Sequence, residues 1–343
     1  MIKTALFSKE NEEQLNICGE LIRSGELVAF PTETVYGLGA NALDQGAVEK
    51  IFQVKNRPAN NPLIAHISDF SMLEGLVKDF PAELKVLTDR FWPGALTIVL
   101  PRTEKVPDIV SAGLPTVAVR CPSHPIANGL IRAAGVPIVA PSANLSGRPS
   151  PTCYDHCLED LSGKVAAIID GGACEIGVES TVILPLGGKK LKLLRPGGIT
   201  IPMLEEEGFT VEIDPAILAP VKEGQKVSSP GMLHRHYAPK AKMAIIRGTN
   251  QEVIAAIQKK EQEGVWVLAF EEYLPAFQNA LSFGSEREPK TQAKALFNAL
   301  RKFDHLPCKQ IYAMEPSKEG EGLAVYNRLL RAASFTIIHA ERL

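Results

Sequence analysis

Apolar residues fall into short runs and helical patterns that alternate along the first part of the chain. Residues 10–24 carry apolar side chains at helical spacing and end at Gly25, which predicts an α-helix. Residues 27–30 form a short apolar run closed by Pro31, which predicts a buried strand. Similar patterns predict helices at residues 44–54 and 82–91, and strands at residues 96–100, 116–120, 137–140 and 166–170. Strands separated by helices indicate an α/β domain with at least some parallel pairing.

The pattern changes after residue 200. Residues 201–240 contain five prolines and little periodicity, which is typical of a linker or a functional loop. Regular patterns then resume, with strands predicted at 242–247, 265–270 and 309–313. Helices are predicted through Ala255 and Ile257 and at 292–303 and 322–334. We therefore divide the chain into a first α/β domain (1–203), a Pro-rich linker (204–240) and a small, doubly wound, Rossmann-like α/β domain (241–343).

Composition limits the functions that this chain can have. The formal net charge of -2 over 343 residues excludes a broadly basic surface, so any contact with nucleic acid has to be local. No apolar run approaches the ~20 residues that a membrane-spanning helix needs, and the first residues are too acidic for a signal peptide. Six cysteines in a chain of this length do not form a disulfide framework. We expect a soluble cytoplasmic protein with reduced thiols and no membrane contact.

Common nucleotide, metal and hydrolase motifs do not occur in the sequence. It contains no GxxxxGK[ST] phosphate loop, no GxGxxG after a strand and no GxSxG elbow. The segment CYDHC at 153–157 lacks the second half of a four-ligand metal site, and the His-x-His pair at 234–236 lacks nearby carboxylates or thiols. We therefore predict no metal ligands.

Segments rich in small polar residues and single cations indicate a pocket for an anion. Residues 31–39 follow a buried strand, where α/β folds place ligands, and residues 140–147 are dense in Ser, Asn and Gly. The cations available to an anionic ligand are Lys55, Arg57, Arg120 and Arg195. The structural alternatives are helix-capping roles for the first two cations and a plain turn at 140–147. A triphosphate substrate and an RNA backbone both fit these residues.

Taken together, the motifs resemble the Sua5/YrdC/YwlC family of L-threonylcarbamoyladenylate synthases. The resemblance runs in order over about residues 5–240, and the downstream unit fits the extra domain of the long Sua5 form. The matching segments are PTETVYGLG (31–39), KNRPANNPLIAHI (55–67), WPGALT (92–97), TVAVRCPSHP (116–125), APSANLSGRPSPT (140–152), GVESTV (177–182), LRPGGI (194–199) and SPGMLHRHYAP (229–239).

The resemblance implies both a fold and a reaction. Members have an open twisted α/β sheet with a large concave cavity, over which the linker passes as a lid. They convert L-threonine, bicarbonate and ATP, with Mg²⁺ on the phosphates, to threonylcarbamoyl-AMP and diphosphate. Partner tRNA threonylcarbamoyltransferase proteins then modify adenosine 37 (t6A) of tRNAs that read codons beginning with A. Whether the chain also contacts tRNA or double-stranded RNA directly stays open.

The resemblance also implies roles for individual residues. The expected L-threonine contacts are Thr34, His66, Arg120, Ser180 and the backbone at Ala140. The expected ATP contacts are Lys55, Arg57, Asn61, Thr116, Ser142, Asn144, Ser150, Arg195 and Tyr237. Lys55 and Arg57 are the expected catalytic residues, and His66 is expected to orient threonine rather than carry a proton.

Two departures and two alternatives accompany this prediction. Ala95 stands where many members have Pro, and residues 183–185 lack an acidic residue that is common after that strand. One alternative is a double-stranded RNA-binding module, which a concave basic surface suits. The other is a carbamoyl or acyl transferase that uses a different amine.

Overall fold

The computed structural model describes residues 3–8, 11–220, 237–260 and 262–343. Within these ranges the chain forms two sheets flanked by helices. The first sheet has eleven strands: β1 (Ala5–Phe7), β2 (Val28–Phe30), β3 (Gly37–Asn41), β4 (Ile64–His66), β5 (Leu96–Pro101), β6 (Thr116–Arg120), β7 (Ile138–Val139), β8 (Ala167–Ile169), β9 (Thr181–Pro185), β10 (Lys190–Arg195) and β11 (Thr210–Ile213). Its helices are α1 (Glu12–Arg23), α2 (Gln45–Lys55), α3 (Lys85–Phe91), α4 (Asp108–Ser111), α5 (Pro125–Ala134), α6 (Tyr154–Leu161) and α7 (Ile201–Glu206).

The second sheet is smaller and entirely parallel. Its strands are β12 (Lys242–Arg247), β13 (Val265–Ala269), β14 (Ala280–Ser282), β15 (Gln310–Met314) and β16 (Ile337–His339), in the order β14-β13-β15-β12-β16. Its helices are α8 (Asn250–Gln258), α9 (Pro289–Phe303) and α10 (Gly322–Ala332). Parallel strands need crossover connections, which these helices provide. The predicted α/β class and the second parallel sheet are confirmed.

The first sheet is mixed, with the order β1-β8-β2-β3-β7-β4-β6-β5-β9-β10-β11. Strands β4 and β6 are parallel, β5 runs antiparallel to β6, and β9 runs parallel to β5. Three apolar clusters pack on this sheet, one of which contains the packed pair α1 and α5. Gly19 lets these two helices approach closely, because a Cβ there would lie 2.6 Å from the backbone of Ala133.

The sequence prediction omits α5 and α6, and two of the segments that it describes differ from the observed structure. Residues 82–91 are not one helix, because a 3-10 turn at Ala82–Leu84 precedes α3. Residues 201–217 are not without structure, because they contain α7 and β11, which pairs in parallel with β10. Pro202 does not interrupt α7, since it lies in the first turn, where a missing N–H costs no hydrogen bond. The domain limits stay a prediction.

The two sheets share an extensive interface. The second apolar core includes Val35 and Val178, which come from the first part of the chain. Buried arginines of α9 and α10 also reach across: Arg301 donates to Pro149 O at 2.8 Å and to Asp160 Oδ2 at 2.8 Å.

Separately, no helix in the described ranges is long and apolar enough to cross a membrane.

Candidate active site

Neighbouring strand ends of the first sheet bring polar side chains together. His66 is the last residue of β4 and Arg120 is the last residue of β6, and the parallel register pairs them directly. Thr97 of β5 lies opposite Arg120 on the other side. Since α/β folds bind ligands beyond strand ends, this edge is the expected position of a site.

A cavity at this edge collects most of the predicted ligand contacts. Its lining includes Thr34, Lys55, Arg57, His66, Arg120, Ala140, Ser142, Asn144, Ser180, Arg195 and Tyr237. These residues come from eight separate segments of the chain, so only the folded sheet brings them into one place. Their individual roles toward a ligand stay predictions.

Three predicted contacts lie outside this lining. Asn61 is buried behind Arg57, whose Nη2 donates to its backbone oxygen at 3.3 Å. Ser150 is buried, and its Oγ donates to Glu179 Oε1 at 2.5 Å. Thr116 is the first residue of β6 and therefore lies at the opposite end of that strand from Arg120.

Arg120 is the centre of a buried cluster. Its Nη1 donates to Thr34 Oγ1 at 2.9 Å, its Nε donates to Gly94 O at 3.2 Å, and its Nη2 lies 2.7 Å from Glu33 Oε1. Burial alone would raise the pKa of Glu33, but the guanidinium outweighs it and holds this pKa below the ordinary value. Glu33 therefore helps to fix the orientation of the Arg120 guanidinium.

Ser180 connects this cluster to Arg195. Ser180 Oγ lies 2.8 Å from Thr97 Oγ1 and accepts from Arg195 Nη2 at 3.0 Å, and Ser180 O accepts from Arg195 Nε at 3.0 Å. Burial lowers the pKa of Arg195 to about 10, so it remains charged near neutral pH. A predicted threonine contact and a predicted ATP contact thus hydrogen-bond each other.

Lys55 braces the loop that follows β7. Its Nζ donates to Ser142 O at 2.5 Å and also to Asn144 O, and Asn144 Oδ1 lies 3.5 Å away. Burial lowers the pKa of Lys55 well below its ordinary value. These bonds hold the Ser142–Asn144 turn against the end of α2, which positions both predicted ATP contacts.

Arg57 follows α2 and turns back over the next loop. Its Nη2 donates to Asn61 O at 3.3 Å and to Pro62 O at 3.4 Å, whereas its Nε has no hydrogen-bond partner among the described residues. Burial lowers the pKa of Arg57 to about 10, so it is a cation near neutral pH. The unsatisfied guanidinium faces the cavity and suits an anionic ligand.

His66 is neutral in the working pH range. It is 3% exposed, and its Nδ1–H donates to Ile64 O at 3.2 Å. Burial lowers its pKa to about 3, with a further contribution from the charge of Arg120. A ring that stays neutral and fixed suits the orienting role expected for it.

Tyr237 connects the cavity to the second half of the chain. It is 7% exposed, and its ring lies 5.1 Å, centroid to centroid, from that of Phe297 in α9. The amide of Ala238 donates to Gly147 O at 2.9 Å, which ties this segment to the loop of the cavity wall. The preceding motif residues 229–236, including the His-x-His pair, lie outside the described residues.

Three residues without a predicted role complete the site. Glu33, Thr97 and Glu179 hydrogen-bond or pair with the predicted contacts. In the sequence, Glu33 directly precedes Thr34 and Glu179 directly precedes Ser180. Since Thr34 and Ser180 are predicted threonine contacts, these neighbouring positions indicate that both glutamates lie near the site. Thr97 is the last residue of the WPGALT segment, so its place in a conspicuous motif is the corresponding sequence signal.

Resident metal ligands are not apparent in the part of the chain that the structure describes. No cluster of three or more His, Cys, Asp or Glu occurs there, and the two carboxylates at the cavity, Glu33 and Glu179, each pair with an arginine. This donor set does not fit a protein-held Mg²⁺, which prefers carboxylate oxygens.

Three of the cations that line the cavity are buried, whereas Arg57 and Arg148 are partly exposed. Lys55, Arg120 and Arg195 are each less than a tenth exposed. A nucleic-acid duplex presents its phosphates on the outside and is bound by accessible cations. The cavity therefore suits a small anionic ligand better than an RNA backbone.

Family models account for both halves of the chain. A model for Sua5, YciO and YrdC proteins, described as telomere recombination, matches residues 20–197. A model for the C-terminal domain of threonylcarbamoyl-AMP synthase matches residues 199–334.

Individual relatives agree with these models over the whole chain. The chain is 46% identical to the threonylcarbamoyl-AMP synthase of Pyrococcus abyssi over 95% of its own length and 96% of the relative. It is also 46% identical to the Bacillus subtilis enzyme, with 96% and 95% coverage. The crystal structure of P. abyssi Sua5 complexed with L-threonine superposes with a TM-score of 0.90 at 44% identity, covering 98% of this chain and 99% of that one. The chain therefore belongs to the Sua5 family of threonylcarbamoyl-AMP synthases.

Proposed function

We propose that this chain converts L-threonine, bicarbonate and ATP to threonylcarbamoyl-AMP and diphosphate. The observation that carries this proposal is the bond between Arg195 and Ser180, because it joins the expected threonine and nucleotide contacts in one cavity. The relative from P. abyssi binds L-threonine, which supports the same ligand here.

Arg120 and Thr34 are suited to hold the amino acid. A guanidinium binds a carboxylate through two parallel N–H donors, and the bond to Thr34 Oγ1 fixes how the fork is presented. Ser180 Oγ adds a hydroxyl on the same side of the cavity. Threonine would thus lie with its carboxylate at Arg120 and its amine toward the nucleotide.

The chemistry needs no nucleophile from the protein. The amine nitrogen of threonine bonds to the carbon of bicarbonate, and water leaves, which gives an N-carboxylate. An oxygen of this group then attacks the α-phosphorus of ATP while the bond from that phosphorus to the bridging oxygen breaks. Diphosphate departs with the electron pair, so the protein has mainly to position reactants and neutralise charge.

Arg57 and Arg195 are placed to neutralise the leaving diphosphate. Both remain charged near neutral pH, and their enclosure strengthens their interaction with an anion. Lys55 acts mainly by holding the Ser142–Asn144 turn. Mg²⁺ enters as part of the MgATP substrate rather than as a resident cofactor.

The product has an evident use in the cell. Its activated carbamoyl group would be transferred by tRNA threonylcarbamoyltransferase proteins to adenosine 37 of tRNAs that read ANN codons. This role places the chain in the cytoplasm. Direct contact between this cavity and RNA is not part of the proposal, because Lys55, Arg120 and Arg195 are buried.

Diphosphate release tests the reaction directly. We expect release from MgATP only when L-threonine and bicarbonate are both present, together with a product of the mass of threonylcarbamoyl-AMP. Omitting either compound in turn provides the control. Release that ignores threonine, or that continues when serine replaces it with equal efficiency, would contradict the proposal.

Arg57→Ala tests the charge that faces the leaving group. We expect kcat to fall about 100-fold or more, since removing one group that stabilises developing charge has an effect of this size. Arg90→Ala is the control, because Arg90 is 44% exposed and pairs with Glu206 and Glu207 away from the cavity. Full activity of a folded Arg57→Ala variant, checked by thermal unfolding, would exclude this role.

A further inference from the structure

Glu179 is a buried carboxylate in the cavity wall, one residue before Ser180. It is 7% exposed. Its Oε1 accepts from Ser150 Oγ at 2.5 Å, and its Oε2 accepts from Arg328 Nε at 2.9 Å. A carboxylate in this position needs a counter-ion, because an unpaired buried charge is strongly unfavourable.

Arg328 supplies that counter-ion from the other half of the molecule. It lies in α10, is fully buried and comes 149 positions after Glu179 in the sequence. Its Nη1 donates to Pro196 O at 2.6 Å and its Nη2 to Glu179 O at 3.3 Å. One side chain of the second domain thus holds the segments that carry both Ser180 and Arg195.

Few charged or titratable groups act on Glu179 among the described residues. Among the described residues, the charged or titratable groups that face it are Arg328, Arg195 and the phenol of Tyr237. Burial alone would raise the pKa of Glu179, but the two arginines outweigh it and keep this pKa below the ordinary value. Burial raises the pKa of Tyr237, so it adds no charge near neutral pH.

Without Arg328, Arg195 would be the other cation whose charge acts on Glu179. The positive charge of Arg195 would then be used to neutralise Glu179. An anionic ligand in the cavity would be attracted less by Arg195 and repelled more by the Glu179 carboxylate. The two arginines and Glu179 carry one net positive charge between them, and removing Arg328 leaves this group of three with none.

We propose that Arg328 is a positioning residue of the active site: it takes up the charge of Glu179 and so leaves Arg195 free to bind the triphosphate of ATP. The proposal rests on ATP being a substrate of this cavity. It gives the second domain a direct part in nucleotide binding, through a residue that touches no substrate itself.

The test measures ATP affinity of full-length variants by calorimetry, alongside kcat and KM. For Arg328→Gln we expect the Kd and KM for ATP to rise about tenfold or more, with kcat at saturating ATP within about threefold of the unchanged protein. Arg328→Lys keeps the charge and should restore most of the affinity. The double variant Arg328→Gln/Glu179→Gln should also recover affinity, because it removes the charge that needed a partner.

Acid should relieve the defect of Arg328→Gln. Glu179 loses its main counter-ion in this variant, so its carboxyl gains a proton at higher pH and ceases to compete for Arg195. The ratio of variant to unchanged Kd is therefore expected to be smaller near about pH 6 than near about pH 8. Dividing the Kd of the variant by that of the unchanged protein at each pH cancels the effect of ATP protonation, because that effect is the same for both proteins.

Arg301→Gln is the matched control, since Arg301 is another buried arginine between the domains but bonds Pro149 O and Asp160. Asp160 also bonds Leu145 N and Arg148 of the cavity-wall loop, so Arg301→Gln should lower stability and raise the Kd for ATP by much less than Arg328→Gln does. A double variant that binds ATP as poorly as Arg328→Gln, or an Arg301→Gln variant with the same defect, would overturn the proposal and leave only a structural role. ATP binding without diphosphate release would reject the proposed reaction while still testing Arg328, and no ATP binding to the unchanged protein would reject both.

Discussion

Individual buried ionisable residues shape this site more than any local motif does. Arg120 pairs with Glu33, and Arg328 pairs with Glu179, so the carboxylate in the cavity wall and the one beside it are both neutralised within the protein. Breaking one such pair leaves an uncompensated buried charge, which is strongly destabilising. These pairs fix side chains in place at a cost that the rest of the fold has to offset.

His66 links this burial to the pH dependence of stability. Its pKa is about 3 in the folded protein and ~6.5 when unfolded, so the unfolded state binds the extra proton between these values. Stability therefore falls as pH is lowered through this window, by about 2 kcal/mol between pH 7 and pH 5 for this one group. Urea unfolding at both pH values should show a smaller loss for His66→Asn than for the unchanged protein.

His156 also lowers stability in acid, because burial lowers its pKa to about 4. The contribution of His66 is therefore the difference between the unchanged protein and His66→Asn in the free energy of unfolding lost from pH 7 to pH 5. His305→Asn serves as the control, since the side chain of His305 is 64% exposed. Identical losses for His66→Asn and the unchanged protein would show that His66 is protonated when folded.

At the scale of elements, close backbone contact explains Gly197 of the RPGG segment. A Cβ on Gly197 would lie 2.3 Å from Thr181 N and 2.4 Å from Glu179 O. The turn after β10 is thus pressed against the start of β9, where Ser180 lies. Only a residue without a side chain permits this contact.

Gly197→Ala is expected to destabilise the protein by at least about 1–3 kcal/mol, because backbone atoms cannot move aside as a flexible side chain can. It should also raise the KM for threonine by displacing Ser180. Gly75→Ala is the control, since a Cβ there meets nothing within 4 Å. Thermal unfolding and steady-state kinetics measure both effects, and equal stability of the two variants would contradict the steric explanation.

Elements with local signals were predicted well from the sequence, and elements set by tertiary pairing were not. The cap of α2 is local, because Asp44 Oδ1 accepts from Ala47 N at 3.1 Å. Helix α5 was not predicted, because its first residue is Pro125 and its N-cap acceptor is the ring of His124, an unusual capping residue. The edge strand β11 depends on pairing with β10, which no local pattern reveals.

Some residues of the candidate site could likewise be predicted from local sequence, and others could not. Conspicuous motifs supplied most of the cavity residues, since each lies in a segment of unusual composition. Arg328 gave no such signal, because an arginine on an amphipathic helix is ordinarily solvent-exposed. Its contact with Glu179 exists only after two sheets have packed together.

On the scale of the whole molecule, the buried arginines predict that both halves unfold together. Separation would leave Glu179 and Asp160 buried without their arginine partners from α9 and α10. The chain has two tryptophans, and each half contains one of them, with Trp92 after α3 and Trp266 in β13.

Two single-tryptophan variants can test this cooperativity. Trp266→Phe leaves a probe in the first half, and Trp92→Phe leaves one in the second. We expect their urea-unfolding midpoints to coincide when followed by fluorescence, and circular dichroism should give the same transition. Arg301→Gln should lower both midpoints together, whereas midpoints that differ between probes would indicate two independent units.

The long sequence separation between Glu179 and Arg328 has a consequence for protein synthesis. At a translation rate of ~5–20 residues per second, the 149 positions between them correspond to a delay of about 7–30 s. A nascent chain that has already emerged with the strands of the first sheet still lacks the cation that completes its cavity. During that interval it carries an acidic group without its eventual partner, so a ribosome-bound chain of this length would be a poor ATP binder and a natural client for a chaperone.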